Sequence, residues 1–295
     1  MKILLTGSSG FVGRNVKEYL QAKGYEICAP TSRELDCIDE EKVVEYLRKD
    51  HYDIVLHFAV YVNGTNSSRD GSKILEYNLR IFQNFYRHSG LYGKMIYTGS
   101  GAEYDKRFPI QSVTEEDIRK HQIPVDQYGL MKYTANQMIE RSDNIYNLRL
   151  FGIFGPYEYW KTKYISNLCC KSLKGLPLSL RMNCWFDYLW IGDFCRMLEI
   201  FIHLEHPKYH VYNAVSGVRI SLYDLARLVN DVADEQRDII VCNEGWANEY
   251  TANNDRIRQE LPGWELTDMR TAVEELYDWY KEHIDSIDIY SLIYG

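Results

Sequence analysis

The sequence lacks long apolar runs, clusters of basic residues and a cysteine pattern typical of a metal site. No apolar run approaches the length of about 20 residues that a membrane-spanning helix needs, so no membrane association is expected. The net charge of −8 argues against nucleic acid or an anionic membrane as a partner, because such partners require basic surfaces. The seven cysteines show no paired metal-ligand spacing, so we expect reduced thiols and no metal.

The N-terminus also lacks the architecture of a signal peptide. Met1 is followed directly by a short apolar segment at residues 2–6, and a cytoplasmic location is therefore expected. What the chain does contain is an ordinary apolar fraction of 45%, which is enough for a globular core. Its 295 residues correspond to one large domain or to two closely joined ones.

Short apolar segments alternate with amphipathic ones through the first half of the chain. The apolar segments predict buried strands at residues 2–6, 25–29, 54–58, 94–98 and 146–151. Helices are predicted between them at residues 11–23, 40–48, 74–87 and 126–141. This alternation is typical of α/β folds, and we predict a Rossmann-type doubly wound parallel sheet with helices on both faces.

The pattern changes after Gly155-Pro156. Short segments and scattered aromatic residues follow, with helices predicted at about 193–204, 221–233 and 271–283. We therefore predict a dinucleotide-binding domain over residues 1–155. Residues 156–295 are predicted to form mainly a smaller α/β substrate-binding lobe, with segments free to interchange between the two parts.

A glycine-rich turn follows the first predicted strand. In its G-x-x-G-x-x-G spacing, Gly7 permits a tight turn, Gly10 lets the backbone approach a pyrophosphate, and Gly13 lets helix and strand pack closely. The amides at the start of the next helix bind the anion without a basic side chain. The candidate cofactor contacts in this turn are Gly7, Ser9, Gly10, Phe11, Val12 and Gly13.

The end of the second strand governs the choice of cofactor. It lacks the carboxylate that would bind the ribose hydroxyl of NAD, and it is followed by Ser32 and Arg33, which suit a 2′-phosphate. Asp36, in the following turn, is a further candidate cofactor contact. NADP(H) is therefore favoured and NAD(H) is the alternative, in which Arg33 is a solvated loop charge.

Tyr128 and Lys132 lie four residues apart in a predicted helix and therefore share one face. A neighbouring ammonium favours the phenolate, so we expect the pKa of Tyr128 to fall and its hydroxyl to exchange a proton with a substrate oxygen. Lys132 can also bind the nicotinamide ribose. Ser100, after the fourth strand, is the candidate donor to the same oxygen, with an ordinary turn serine as the alternative.

In this order, the glycine turn, Ser100 and the Tyr128/Lys132 pair resemble the extended short-chain dehydrogenase/reductases that act on nucleotide sugars. Further positions match segments of that family: Phe58, Ala59, Asn78, Arg149, Gly155, Pro156 and Asp187. The resemblance implies that Phe58, Ala59 and Asn78 lie at the cofactor. It also implies a nucleotide-sugar substrate and a homodimer.

Positions at which this chain differs from the family pattern narrow the choice of reaction. The 4,6-dehydratases carry an acidic pair where this chain has Gly101 and Ala102, so dehydration is rejected. Residues 31–36 are similar to GDP-fucose synthases and dTDP-4-dehydrorhamnose reductases, but the epimerising cysteine and histidine of the former align with Ala102 and, loosely, Lys163. Many relatives have an arginine where this chain has Phe186. The candidate substrate contacts are Gly101, Ala102, Lys163, Arg181 and Asp187, with Lys161 as a further basic candidate; an ordinary surface charge is the alternative for the three basic residues.

These observations favour an NADPH-dependent reductase of a 4-keto-6-deoxy sugar nucleotide that takes its proton from Tyr128. One alternative is a nucleotide-sugar epimerase with tightly bound NAD, which would use the same catalytic residues. Another is a non-catalytic module that senses NADP(H), although such modules typically lose the Tyr/Lys pair or the serine. His57, on an apolar strand, is interpreted as a packed core residue rather than a base.

Overall fold

The computed structural model describes residues 1–61 and 70–294. The strands are β1 (Lys2–Thr6), β2 (Glu26–Cys28), β3 (Tyr52–His57), β4 (Tyr92–Ser100), β5 (Ile110–Val113), β6 (Ile145–Leu150), β7 (Gly152–Phe154), β8 (Leu178–Leu180), β9 (Trp185–Trp190), β10 (Val211–Ala214), β11 (Arg219–Ser221), β12 (Ile239–Val241) and β13 (Tyr250–Ala252). The helices are α1 (Phe11–Ala22), α2 (Glu40–Lys49), α3 (Ile74–Tyr86), α4 (Gln127–Ile139), α5 (Tyr164–Leu173), α6 (Ile191–His203), α7 (Leu222–Val232), α8 (Asp255–Glu260), α9 (Met269–Glu282) and α10 (Ile289–Tyr294).

The main sheet has six parallel strands in the order β10-β6-β4-β3-β1-β2. Its two faces are both covered, as the side chains of β1 illustrate: Ile3 and Leu5 pack into one apolar cluster and Leu4 packs into the other. Alternate side chains of a strand point to opposite faces, so a strand buried on both sides reads as a continuous apolar run. The predicted Rossmann-type fold is confirmed.

β1 has β2 on one side and β3 on the other, so the direction in which successive strands are added to the sheet reverses at β1. In doubly wound sheets a crevice opens at such a point, beyond the carboxyl ends of the strands. The turn from β1 into α1 occupies this position. Val16 and Leu20 bury one face of α1, and the helix packs against α6 on the same side of the sheet.

A second, smaller lobe contains a mixed sheet in the order β11-β9-β13-β5, with β7 paired to β9, and a two-stranded sheet of β8 and β12. The two parts exchange strands. β5, from the first half of the chain, lies in the sheet of the lobe, whereas β10 lies at the edge of the main sheet. A boundary at residue 155 therefore does not coincide with the boundary between the two parts of the structure, because each part contains a strand from the other half of the sequence.

The predicted elements agree with the observed ones to within a few residues. β2 is shorter than predicted, because this edge strand pairs with β1 over only three residues. The last segment is the short helix α10, whose first amides donate to the carboxylate of Asp288. None of the helices within the described ranges is long and apolar enough to cross a membrane.

Candidate active site

The glycine turn after β1 is sterically required. Gly7 has φ +73°, a left-handed conformation that favours glycine, and a Cβ there would overlap the backbone of Phe58 at the end of β3. A Cβ on Gly13 would overlap the carbonyl oxygen of Gly7. The turn therefore packs against β3 and α1 through backbone atoms, which leaves its outer side to a ligand.

The start of α1 fits a phosphate group. Gly10 is the N-cap residue, without any side-chain cap, and the first turn contains no acidic residue. The unpaired amides and the positive end of the helix dipole therefore have no protein anion to neutralise them. Because Gly10 has no side chain to block the approach, these residues are suited to hold the pyrophosphate of a dinucleotide.

A cavity of about 820 Å³ extends from this turn along the carboxyl ends of the main-sheet strands. The predicted catalytic residues line it together with most of the predicted glycine turn, and we call the following set the motif wall: Gly7, Gly10, Phe11, Val12, Gly13, Phe58, Ser100, Tyr128 and Lys132. Residues that lie far apart in the sequence, from Gly7 to Lys132, thus meet at one edge of the sheet.

Lys132 is almost fully buried in this wall. Its Nζ donates to the carbonyl oxygen of Thr98 over 2.6 Å and lies 4.3 Å from the ring centroid of Tyr97 and 5.7 Å from that of Tyr128. Burial lowers the pKa of Lys132 to about 7, although the carboxylate of Glu103 acts in the opposite direction. The ammonium is therefore only partly charged near neutral pH.

Tyr128 corrects one expectation. Burial raises the pKa of Tyr128, and the nearby Ser100 hydroxyl lowers it in part. The expected fall of this pKa is not observed, because desolvation of the phenol and the negative charges of Glu103 and Asp126 raise it. Tyr128 is thus a neutral hydrogen-bond donor.

A buried ion pair supports Ser100 from below. Arg149 and Glu103 are both fully buried, and Arg149 Nε donates to Glu103 Oε2 over 2.7 Å. Glu103 Oε1 accepts the backbone N–H of Ser100 at 3.1 Å, and Ser100 Oγ accepts that of Ala102 at 3.1 Å. The hydroxyl of Ser100 is thereby held at the cavity with its own proton available to a ligand.

Several predicted residues lie elsewhere. Asn78 is buried, and it bonds to the backbone N–H and carbonyl oxygen of Tyr61 and to the carbonyl oxygen of Ile74, so it fixes the chain after β3. Asp187 accepts bonds from Ser216 and Gly217, and burial raises its pKa to about 6. The other predicted residues that do not line the cavity are Ser9, Ser32, Arg33, Asp36, Ala59, Gly101, Ala102, Lys161 and Arg181.

The opposite side of the cavity comes mainly from the second half of the chain, and we call the following set the lobe wall: Glu158, Lys163, Tyr164, Phe186, Tyr188 and Tyr250. Only Lys163 among them was a predicted substrate contact. Phe186 stacks beside Tyr188 and Tyr250, with ring centroids 5.4 Å apart in both pairs. No local motif marks these residues, although Glu158 lies close behind the Gly155-Pro156 segment.

Two lysines lie at this wall. Lys106 lines the same cavity, and its Nζ lies 5.2 Å from the ring centroid of Tyr250. Desolvation lowers the pKa of Lys106, the carboxylate of Asp126 acts in the opposite direction, and the positive charge of Lys163 lowers the pKa further. Two lysines at one cavity wall make a suitable environment for a phosphate.

Comparison with known proteins agrees with this geometry. Residues 3–214 match the NAD dependent epimerase/dehydratase family. The chain belongs to this family. Membership confirms, at the level of the family, the prediction of a nicotinamide-dependent enzyme of the extended short-chain dehydrogenase/reductase type.

Curated relatives in the epimerase/dehydratase family include sugar-nucleotide synthases and reductases. GDP-L-colitose synthase of Yersinia pseudotuberculosis is 27% identical over 169 residues, a match that spans 54% of this chain and 54% of that protein. A GDP-L-fucose synthase of Azorhizobium caulinodans is 42% identical over 67 residues, which are 22% of its length. GDP-6-deoxy-D-mannose reductase of Pseudomonas aeruginosa is 23% identical over 304 residues, or 94% of this chain and 97% of that protein.

Solved structures share the whole fold at low identity. The GDP-mannoheptose C4 reductase MlghC of Campylobacter jejuni, with NADP bound, has a TM-score of 0.80 at 17% identity and covers 95% of this chain and 98% of its own. The UDP-glucose 4-epimerase of Thermus thermophilus, in complex with NAD, has a TM-score of 0.76 at 20% identity and covers 95% and 99%.

Proposed function

We propose that this protein is an NADPH-dependent reductase of a 4-keto-6-deoxy sugar nucleotide. The observation that carries the proposal is the convergence of Ser100, Tyr128 and Lys132 on one cavity that also includes the glycine turn. These residues come from β4, α4 and the β1–α1 turn, so their meeting is a property of the fold rather than of a short motif. Their types suit reduction of a carbonyl to an alcohol.

When bound, the nicotinamide supplies the hydride that a carbonyl carbon receives. Tyr128 donates the proton to the developing alkoxide, because burial keeps this phenol protonated until the substrate needs it. Ser100 donates a hydrogen bond to the same oxygen and orients it. Lys132, whose Nζ lies close to Tyr128, stabilises the phenolate that is left and adds a donor for a ribose hydroxyl.

The substrate class rests on the lobe wall and on relatives. Lys106 and Lys163 provide positive charge for the phosphates of a nucleotide diphosphate. Ala102 supplies no thiol for proton abstraction beside the carbonyl, which favours simple reduction over epimerisation at the neighbouring carbons. Two curated relatives are a GDP-6-deoxy-D-mannose reductase and a dTDP-4-dehydro-6-deoxy-D-allose reductase, and both names describe reductases of sugar nucleotides.

The test is consumption of NADPH with a panel of 4-keto-6-deoxy sugar nucleotides that differ in nucleotide and sugar. One member should oxidise NADPH, faster than NADH. Tyr128→Phe should lower kcat about 100- to 10,000-fold, the usual contribution of one acid–base group, with little change in NADPH affinity. Tyr133→Phe is the matched control, because Tyr133 lies on the same helix outside the cavity. A fully active Tyr128→Phe enzyme would contradict the proposed role.

A nucleotide-sugar epimerase is the second candidate. The UDP-glucose 4-epimerase noted above shares the fold, and its structure contains NAD. Such an enzyme retains its cofactor through the reaction cycle, so purified protein would carry about one equivalent of NAD(H). Weak and exchangeable NADPH binding supports reduction instead. Absorbance and enzymatic assay of the cofactor released on denaturation separate the two.

A further inference from the structure

Tyr250 is a second phenol at the reacting end of the cavity. It lies on β13, about 120 residues after Tyr128 along the sequence, yet both residues line the cavity with Ser100. Each of the two phenols lies close enough to the Ser100 hydroxyl for that hydroxyl to influence its pKa. Ser100 therefore stands between two tyrosines.

Gly101 is what lets Tyr250 reach this place. A Cβ on Gly101 would overlap the hydroxyl oxygen of Tyr250 and the ring of Phe151. Gly101 directly follows Ser100, so the phenol rests on the backbone next to the serine. A side chain at position 101 would push the hydroxyl away from Ser100.

The ring of Tyr250 is held by its neighbours, and its hydroxyl lies close to that of Ser100. The ring centroids of Phe151 and Phe186 lie 5.0 Å and 5.4 Å from that of Tyr250, and Lys106 covers the ring at 5.2 Å. The hydroxyl of Ser100 lies within interaction distance of the Tyr250 hydroxyl. An aromatic ring that is held in this way, with its hydroxyl beside Ser100 at a cavity, is suited to bind a ligand.

We propose that Tyr250 is a further catalytic residue, whose hydroxyl donates a hydrogen bond to the same carbonyl oxygen of the substrate that Ser100 and Tyr128 contact. This inference rests on the proposed reductase function and deepens it. Burial raises the pKa of both phenols above its ordinary value, so both stay protonated. Lys132 lies beside Tyr128, which makes Tyr128 the proton source and leaves Tyr250 as a fixed donor. The two tyrosines thus divide the work: Tyr128 gives up its proton, and Tyr250 stabilises the developing negative charge.

The first test compares Tyr250→Phe with Tyr133→Phe. Tyr133 packs against the same apolar cluster as Tyr250 but lies outside the cavity, so it controls for the loss of a phenol from that cluster. Tyr250→Phe should lower kcat about 10- to 100-fold, the effect of one hydrogen bond to a charged oxygen, and leave the NADPH dissociation constant unchanged. Equal kcat values for the two variants would overturn the inference.

Gly101→Ala provides an independent route to the same phenol. The added methyl group should displace the Tyr250 hydroxyl and lower kcat by a similar factor. Because both changes remove one interaction, the double variant Gly101→Ala/Tyr250→Phe should be little slower than either single variant. Full multiplication of the two effects would show that Gly101 does not act through Tyr250 and would count against the inference.

A measurement without turnover separates this inference from the reductase proposal. A sugar nucleotide with a ¹³C-labelled keto carbon is bound to the protein with NADP⁺, which cannot reduce it, and the carbonyl resonance is recorded. Hydrogen-bond donation moves that resonance downfield, so Tyr250→Phe should move it upfield while Tyr133→Phe leaves it in place. This result would support Tyr250 even if NADPH were never consumed. An unchanged resonance would overturn the role of Tyr250 alone, and a wild-type protein that binds none of the sugar nucleotides would overturn both proposals.

Discussion

The two sides of the cavity are built differently. The motif wall consists of backbone turns and side chains at the ends of parallel strands, and a fully buried ion pair between Glu103 and Arg149 lies directly beneath it. The lobe wall is assembled from segments between residues 158 and 250, and its rings contact one another at 5.4 Å. One side is fixed by backbone and charge, whereas the other is fixed by aromatic packing.

The difference in construction suits two different tasks: the motif wall positions the groups that transfer a proton, and the lobe wall contacts the variable part of a ligand. Proton transfer requires its donor within a few tenths of an ångström, and hydrogen bonds to buried charged groups provide such positioning. Aromatic packing tolerates substitution by residues of similar volume, so the lobe wall can change its substrate while the motif wall stays intact.

Breaking the ion pair beneath the motif wall should give the largest effect. Glu103→Gln removes the charge that compensates the buried Arg149, and loss of one partner of a buried pair destabilises proteins by about 3–5 kcal/mol. Urea unfolding measures this free energy. Glu45→Gln is the control, because the pair of Glu45 with Lys49 is exposed and should contribute less than about 1 kcal/mol. Similar destabilisation by both variants would show that the motif wall does not depend on its ion pair.

Glu158 offers the corresponding test on the lobe wall. Ser166 Oγ donates to Glu158 Oε2 over 2.6 Å, and burial raises the pKa of Glu158 from 4.5 to about 7, although Ser166 and Lys163 act to lower it. The folded state therefore holds this proton more tightly than the unfolded state. Its stabilising contribution is present below pH 4.5 and is lost as the pH rises through about 7.

Glu158→Gln should remove this pH dependence. The charged form of Glu158 costs about 3 kcal/mol when buried, at about 1.4 kcal/mol for each pH unit between the two pKa values. Unfolding free energies of the wild type and the variant should be similar near pH 4.5, with the variant more stable above pH 7 by up to this amount. A constant difference between the two proteins over this range would contradict the raised pKa.

The fold and the motif wall could be predicted from the sequence because local spacing determines both. β1 reads as a buried strand since its side chains alternate between two apolar clusters, and the glycines after it follow from steric need. Tyr128 and Lys132 share a helix face at a spacing of four residues. In each case the signal in the sequence is a residue spacing within one turn or one strand.

The lobe wall could not be predicted in this way. Tyr250 reaches Ser100 because β13 pairs with β5, a strand from the first half of the chain, and because position 101 is glycine. Neither fact is visible in the residues around Tyr250. The pKa of Tyr128 was predicted in the wrong direction for a related reason, since spacing indicates the neighbouring lysine but not how deeply both residues are buried.

The smallest expected effect concerns Arg33, which lies outside the cavity in the turn after β2. Substitution of Arg33 tests whether the cofactor site extends beyond the motif wall. Its side chain is exposed. Among the described residues, it forms no hydrogen bond or ion pair. A guanidinium held by no carboxylate can bind a 2′-phosphate, so Arg33→Ala should weaken NADPH binding about tenfold and leave NADH binding unchanged. Fluorescence titration with both cofactors measures the two affinities. Equal affinities of wild type and variant for NADPH would make Arg33 a solvated loop charge, with no role in cofactor binding. A selective loss of NADPH affinity would show that the cofactor site extends beyond the motif wall to the end of β2.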